Sequence, residues 1–242
     1  MNRKPPTRAL VAMVATTVAL AGVAFLASAP DWPSRAVWFW MIACTLSERL
    51  WVRLPFGRAT LSMSSCFNLA ALLVLPRGEA MFVVAVSVAI AERAFMRKPA
   101  TRVVFNGAQT ALAVAAGSLA FTLSGGTPER LGTMIAAFAW WPFLAAGLAY
   151  SIVNTGAVSV AVALSEGTSP WRAWRENFWS GFELVARGAL LSLGILVAID
   201  YMLVGPAGTI LAALSLILAH RSYARRLDHA DSAAAERPAR AA

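Results

Sequence analysis

Residues 97–128 read RKPATRVVFNGAQTALAVAAGSLAFTLSGGTP, and this stretch decides the fold. Arg97, Lys98 and Arg102 precede an uncharged run over positions 103–123, and Ser124-Gly125-Gly126-Thr127-Pro128 closes it with turn formers. A helix of that length measures about 30 Å, the thickness of a bilayer's hydrocarbon core. Lipid offers no partner to backbone N–H and C=O groups, so such a segment must be helical.

Working outward, the same block recurs: apolar stretches over positions 9–29, 35–51, 60–75 and 80–95 precede it. After it come a long stretch over 132–164, a segment ending near 204 and another over 206–220. Pro142 should kink or break the long stretch, giving a short interfacial piece or a kinked start and then a span, with Trp140 and Trp141 as interfacial anchors. Ser169-Pro170 reads as a helix start, and Trp171, Trp174, Phe178 and Trp179 recur beside Arg172 and Arg175 as in a helix lying among headgroups. Arg3, Lys4 and Arg8 before the first block, with Ala27-Ser28-Ala29 after it, resemble a signal peptide. The length of the apolar run favours an uncleaved anchor; cleavage would leave seven helices and an external N-terminus.

The basic residues orient this array. With the N-terminus inside, the inner segments hold Arg3, Lys4, Arg8, Arg49, Arg53, Arg58, Arg93, Arg97, Lys98, Arg102, Arg172, Arg175, Arg221, Arg225 and Arg226. The outer ones hold Arg35, Arg77 and Arg130. Fifteen against three is the asymmetry that fixes orientation. The expectation is an all-α polytopic transmembrane bundle of about eight spans, with both ends cytoplasmic, over residues 1–227. Residues 228–242 are expected to form a disordered tail.

Composition supports this class: 59% of residues are hydrophobic and 14% charged, too apolar for a soluble chain to cover its own core. The net charge of +9 sits at helix ends, where it meets anionic headgroups, so nucleic acid is not an expected partner. Cys44 and Cys66 lie inside apolar segments and read as packing residues. HExxH, GxSxG and a phosphate-binding glycine loop are absent, and His220 and His229 lie near or within the tail. No enzyme activity, metal or cofactor is expected.

Polar groups within the apolar blocks carry what functional signal there is. Glu183 and Arg187 stand four apart on one helix face, as a structural ion pair or a ligand site. Asn68, Asn106 with Gln109, and Asn154 each sit among small residues that let helices approach closely, as packing contacts or as the lining of a ligand pocket. These six are the candidate ligand-binding residues. Glu48-Arg49 and Glu92-Arg93 end two blocks alike and read as inner boundary markers that snorkel to water, with a charge cluster joining the helices as the alternative.

Several motifs carry a resemblance. Leu54-Pro55-Phe56-Gly57, Val104-Phe105-Asn106-Gly107-Ala108-Gln109, Asn154 leading to Leu164-Ser165-Glu166-Gly167, and Trp171-Arg172-Ala173-Trp174-Arg175-Glu176-Asn177-Phe178 resemble the N-terminal membrane region of bacterial GGDEF and HD-GYP signalling proteins. The resemblance covers roughly residues 50–225. It implies an input module in the bacterial cytoplasmic membrane that relays a ligand or membrane signal to a cytoplasmic partner. These 242 residues contain neither output sequence, so the expectation is a stand-alone relative or a piece of a longer protein. A solute transporter or membrane-embedded substrate-binding subunit is the alternative function. The expected partners are the bilayer and either a cytoplasmic signalling protein or a second copy.

Overall fold

The structure is a computed structural model and describes residues 8–28, 34–53, 60–137 and 139–236. The Leu54-Pro55-Phe56-Gly57 motif, Arg3, Lys4 and Arg58 lie outside these residues.

The chain folds as a helical bundle. In order come α1 (Arg8–Leu26), α2 (Arg35–Ser47), β1 (Trp51–Arg53), β2 (Thr60–Ser62), α3 (Ser64–Val74) and α4 (Arg77–Ile90). A π-helical turn (Ala91–Phe95) leads on to α5 (Ala100–Leu123). Then follow a 3-10 turn (Pro128–Arg130), α6 (Leu131–Ala136), α7 (Trp141–Glu166), α8 (Pro170–Phe178), α9 (Gly181–Val204) and α10 (Pro206–Glu236). Among the described residues, α1, α5, α7 and the part of α9 over Leu184–Val204 are long and apolar enough to cross a membrane. The outward apolar faces, including Leu20 and Val23 of α1, Ile152 of α7 and Leu211 of α10, have lipid as their natural solvent.

Two expected spans are corrected. The segments read as 35–51 and 60–75 end and begin instead at Ser47 and Ser64, and antiparallel strands lie between them, pairing Trp51 with Ser62 and Arg53 with Thr60. Trp, Val and Thr favour extended backbone, and Pro55 forbids a helix from running through the residue before it. What remains, α2 and α3, is shorter than the roughly 20 residues a span requires.

α3 is the centre of the bundle. Cys66 through Leu73 are all buried, and the helix packs on α9, α4, α5 and α2. α5 packs between α4 and α7, α1 lies mainly on α5, and α10 mainly on α9. Small residues set the close approaches. A Cβ on Gly107 would come within 3.1 Å of the Ala85 carbonyl oxygen, and one on Gly117 within 2.5 Å of Leu72 Cδ1. At Gly194 of α9 the obstacle is backbone, the Cys66 carbonyl oxygen at 2.7 Å. Gly194→Val should therefore separate α9 from α3 and destabilise the bundle by about 1–3 kcal/mol, read by unfolding in mixed micelles.

The end of the bundle at the start of α2 and α4 is closed by largely apolar packing. Trp40 is fully buried, and Tyr201 stacks on Phe39 at 5.6 Å, joining α2 to α9. The Ser34 hydroxyl donates to Glu79 at 3.0 Å and ties α2 to the first turn of α4.

Two helix boundaries fall where the sequence places them. α6 stops at Ala136 and α7 restarts at Trp141 with Pro142 in its first turn, where proline's missing N–H is harmless. α8 begins at Pro170, with the Ser169 hydroxyl accepting from the Arg172 amide at 3.2 Å. The last helix continues past position 227 to Glu236, through Ala233-Ala234-Ala235, alanine being the strongest helix former.

Candidate functional site

Where α4 gives way to α5, two uncommon backbone features occur within seven residues. The first is the π-helical turn Ala91–Phe95, which carries Glu92. The second is Arg97, which among the described residues is the non-glycine residue with positive φ, at 51°. π-turns and left-handed residues are tolerated where the surrounding structure holds them, often at functional positions. Here they bring two side chains together. Glu92 turns into the protein, and the chain reverses at Arg97 so that Lys98 lies over it.

Glu92 is 4% exposed. Its Oε1 accepts from Lys98 Nζ at 2.5 Å and from Asn106 Nδ2 at 2.6 Å. Glu48, at the end of α2, is also buried; it is hydrogen-bonded to Ser64 and lies within electrostatic reach of both Glu92 and Lys98. Lys98 is ion-paired with Glu92, and the buried Glu48 lies near that pair. Tyr150 of α7 continues the cluster: its hydroxyl is hydrogen-bonded with Asn68 and Ser65 of α3. Nearby on α5, Gln109 donates to the Thr110 hydroxyl at 3.0 Å, and that hydroxyl donates to the Asn106 carbonyl at 2.6 Å.

The boundary reading of Glu48-Arg49 and Glu92-Arg93 is therefore corrected. The arginines face outward and the glutamates do not snorkel. Adjacent helical positions point about 100° apart, so one side chain of each pair reaches solvent while the other enters the bundle. Arg49 instead sits over the Phe95 ring at 5.0 Å.

The six candidate residues divide. Asn68, Asn106 and Gln109 belong to the interior polar region just described. Asn154 is half-buried and has no side-chain hydrogen bond among the described residues. The Trp174 indole N–H donates instead to its neighbour Thr155 at 3.1 Å, docking α8 on α7. The side chain of Glu183 lies outside the described residues, and Arg187 is placed over the Phe178 ring at 4.8 Å. Sequence reading missed Lys98 and Tyr150. The signal for Lys98 was its place six residues after a glutamate in a helix reversal; for Tyr150 the sequence offers none.

Beside the cluster lies a groove of about 580 Å³, bounded by the start of α1, the start of α5 and the end of α7. Its walls are mostly apolar, and Lys98 and Asn106 line it, so the cluster borders the groove. The size falls within the roughly 300–1,000 Å³ of small-ligand sites. No group of three or more His, Cys, Asp or Glu side chains among the described residues could hold a metal ion.

Arg97 gives a direct test of the backbone argument. Arg97→Val places a β-branched residue in the left-handed region and should lower stability by about 1–2 kcal/mol, whereas Arg97→Gly should be tolerated. Unfolding of both variants in mixed micelles reads the difference.

A family model, MASE9, matches residues 10–221. No curated protein and no solved structure matches the chain.

Proposed function

The chain belongs to the MASE9 family of membrane-associated sensory domains, and on that premise we propose that it is the input module of a signalling system in the bacterial cytoplasmic membrane. One observation carries the proposal: a buried Glu92 held by the half-buried Lys98 and Asn106, at a π-turn and a left-handed residue, beside a groove. In this reading the bundle has a second packing, reached when a ligand or lipid in the groove changes what Lys98 and Asn106 contact. A stimulus that favours one packing shifts the population by its differential affinity.

The route outward follows the packing. The cluster includes Ser64, Ser65 and Asn68 of α3; α3 packs on α9, and α9 on α10. α10 is one helix from its apolar start at Pro206 to the charged region around Arg221 and Arg225, so a shift at its membrane end moves its other end. In this reading both termini face the cytoplasm, about eight segments traverse or enter the bilayer, and α8 lies among headgroups. The partner is a cytoplasmic output protein or domain of the GGDEF or HD-GYP type, or a second copy, and the chain performs no catalysis itself.

The transport alternative has less support. The polar side chains of the cluster lie toward the ends of α2 and the π-turn and the start of α5. The opposite half is packed largely by apolar side chains, among them Phe121, Phe143, Leu131 and Met81.

A photo-reactive side chain in place of the exposed Arg225 tests the relay in cells. The expected result is an adduct of defined mass whose yield changes in Asn106→Leu. No adduct, or a yield indifferent to Asn106, together with solute flux by the reconstituted protein, would overturn the relay in favour of transport.

A further inference from the structure

The groove between α1, α5 and α7 has opposite charges on opposite walls. Arg102 stands in the first turn of α5, and Glu166 is the last residue of α7. Both line the groove and both are exposed. Among the described residues neither forms an ion pair with the other or with a third group. The two helices run antiparallel, so the positive end of one dipole and the negative end of the other meet at this mouth. No side chain caps the start of α5, and since the Pro99 carbonyl takes the Arg102 and Val103 amides, those of Ala100 and Thr101 are left to an anion. Below the mouth, Val14 of α1, Phe105 of α5 and Val158 and Val162 of α7 make apolar walls. A polar solute matches the mouth and not the walls; an apolar one matches the walls and not the mouth.

We propose that this groove holds one membrane lipid, a glycerophospholipid with a primary-ammonium headgroup. Its phosphate lies against Arg102 and the first turn of α5, its ammonium against Glu166, and an acyl chain fills the space below. Lys98, held by Glu92, and Asn106 line the same groove and bring the lipid against the polar cluster. This deepens the sensory reading and rests on it for the purpose of the groove. The carboxylate selects the ammonium over its trimethylated form, since methylation removes the N–H donors, and over an uncharged glycerol headgroup.

The test uses the full chain in a maltoside detergent, stripped of lipid, with native mass spectrometry of bound dioleoyl phosphatidylethanolamine, phosphatidylcholine or phosphatidylglycerol. The expected result is a preference for phosphatidylethanolamine of roughly threefold to fivefold, the size of one exposed ion pair. Glu166→Gln should abolish that preference, Arg102→Gln should weaken all three lipids, and Val158→Trp should block retention while circular dichroism stays unchanged. Equal retention of the three lipids, a preference for the anionic one, or a Glu166→Gln protein that still selects would overturn the proposal. Occupancy is scored apart from the Arg225 crosslink. Selective retention with a crosslink indifferent to lipid sinks the relay and leaves the lipid site. A lipid-sensitive crosslink without selective retention does the reverse.

Discussion

Lys98→Met should be among the most damaging single substitutions in the bundle, costing about 3–5 kcal/mol. The lysine is the cation paired with Glu92, and Glu48 lies within electrostatic reach of it; each glutamate is less than a tenth exposed. Removing it leaves two buried carboxylates near one another, with Asn106 and Ser64 as the partners that remain. The penalty is that of an uncompensated buried charge, not the worth of a contact, so it should be recovered by removing the charge. Glu92→Gln combined with Lys98→Met should restore most of the lost stability, and a double-mutant cycle should show strong coupling between the two positions. Unfolding of the four proteins in mixed micelles measures it. Additive effects would mean that the pair is not formed in the membrane.

The second large effect is on signal rather than stability. Ser222→Pro should abolish the dependence of the Arg225 crosslink on Asn106 while leaving insertion intact. Proline at this position removes the hydrogen bond to Leu218 and clashes with its carbonyl, costing about 3 kcal/mol of helix. Ser222 lies just beyond the apolar half of α10, Pro206–Leu218, so that half keeps its packing on α9. The bundle then changes state without moving the tail. If the crosslink still responds to Asn106→Leu in the Ser222→Pro protein, α10 does not carry the signal.

Much of the helix order was legible because its signals are local. Pro142 broke one long apolar stretch, Ser169 capped α8, and Gly205, in the left-handed region at φ 75°, separates α9 from α10. Membership of a bundle was legible from hydropathy, but position within it was not. Lipid is as apolar as leucine, so periodicity cannot distinguish a helix wrapped in protein from one facing the bilayer. That is why α3, nearly all of it buried, read like any other span. The site was half legible for a similar reason. Asn68, Asn106 and Gln109 stood out as amides in apolar segments. Glu48 and Glu92 were read outward because each adjoins an arginine at a helix end. What turns Glu92 inward is a π-turn and a left-handed Arg97, and neither leaves a mark in a hydrophobic pattern.

The most direct test of the account joins the two ends of the proposed route. Spin labels replace Arg175 on α8 and Arg225 on α10, both exposed, in a chain whose buried Cys44 and Cys66 are changed to alanine. Distances are measured in lipid nanodiscs for the otherwise native protein and for Asn106→Leu, which removes the amide held by Glu92. The account predicts a shifted or redistributed distance, because the buried contact and the far end of α10 report one equilibrium. Superimposable distributions in the two proteins would contradict it and leave the Glu92 cluster as structural support alone.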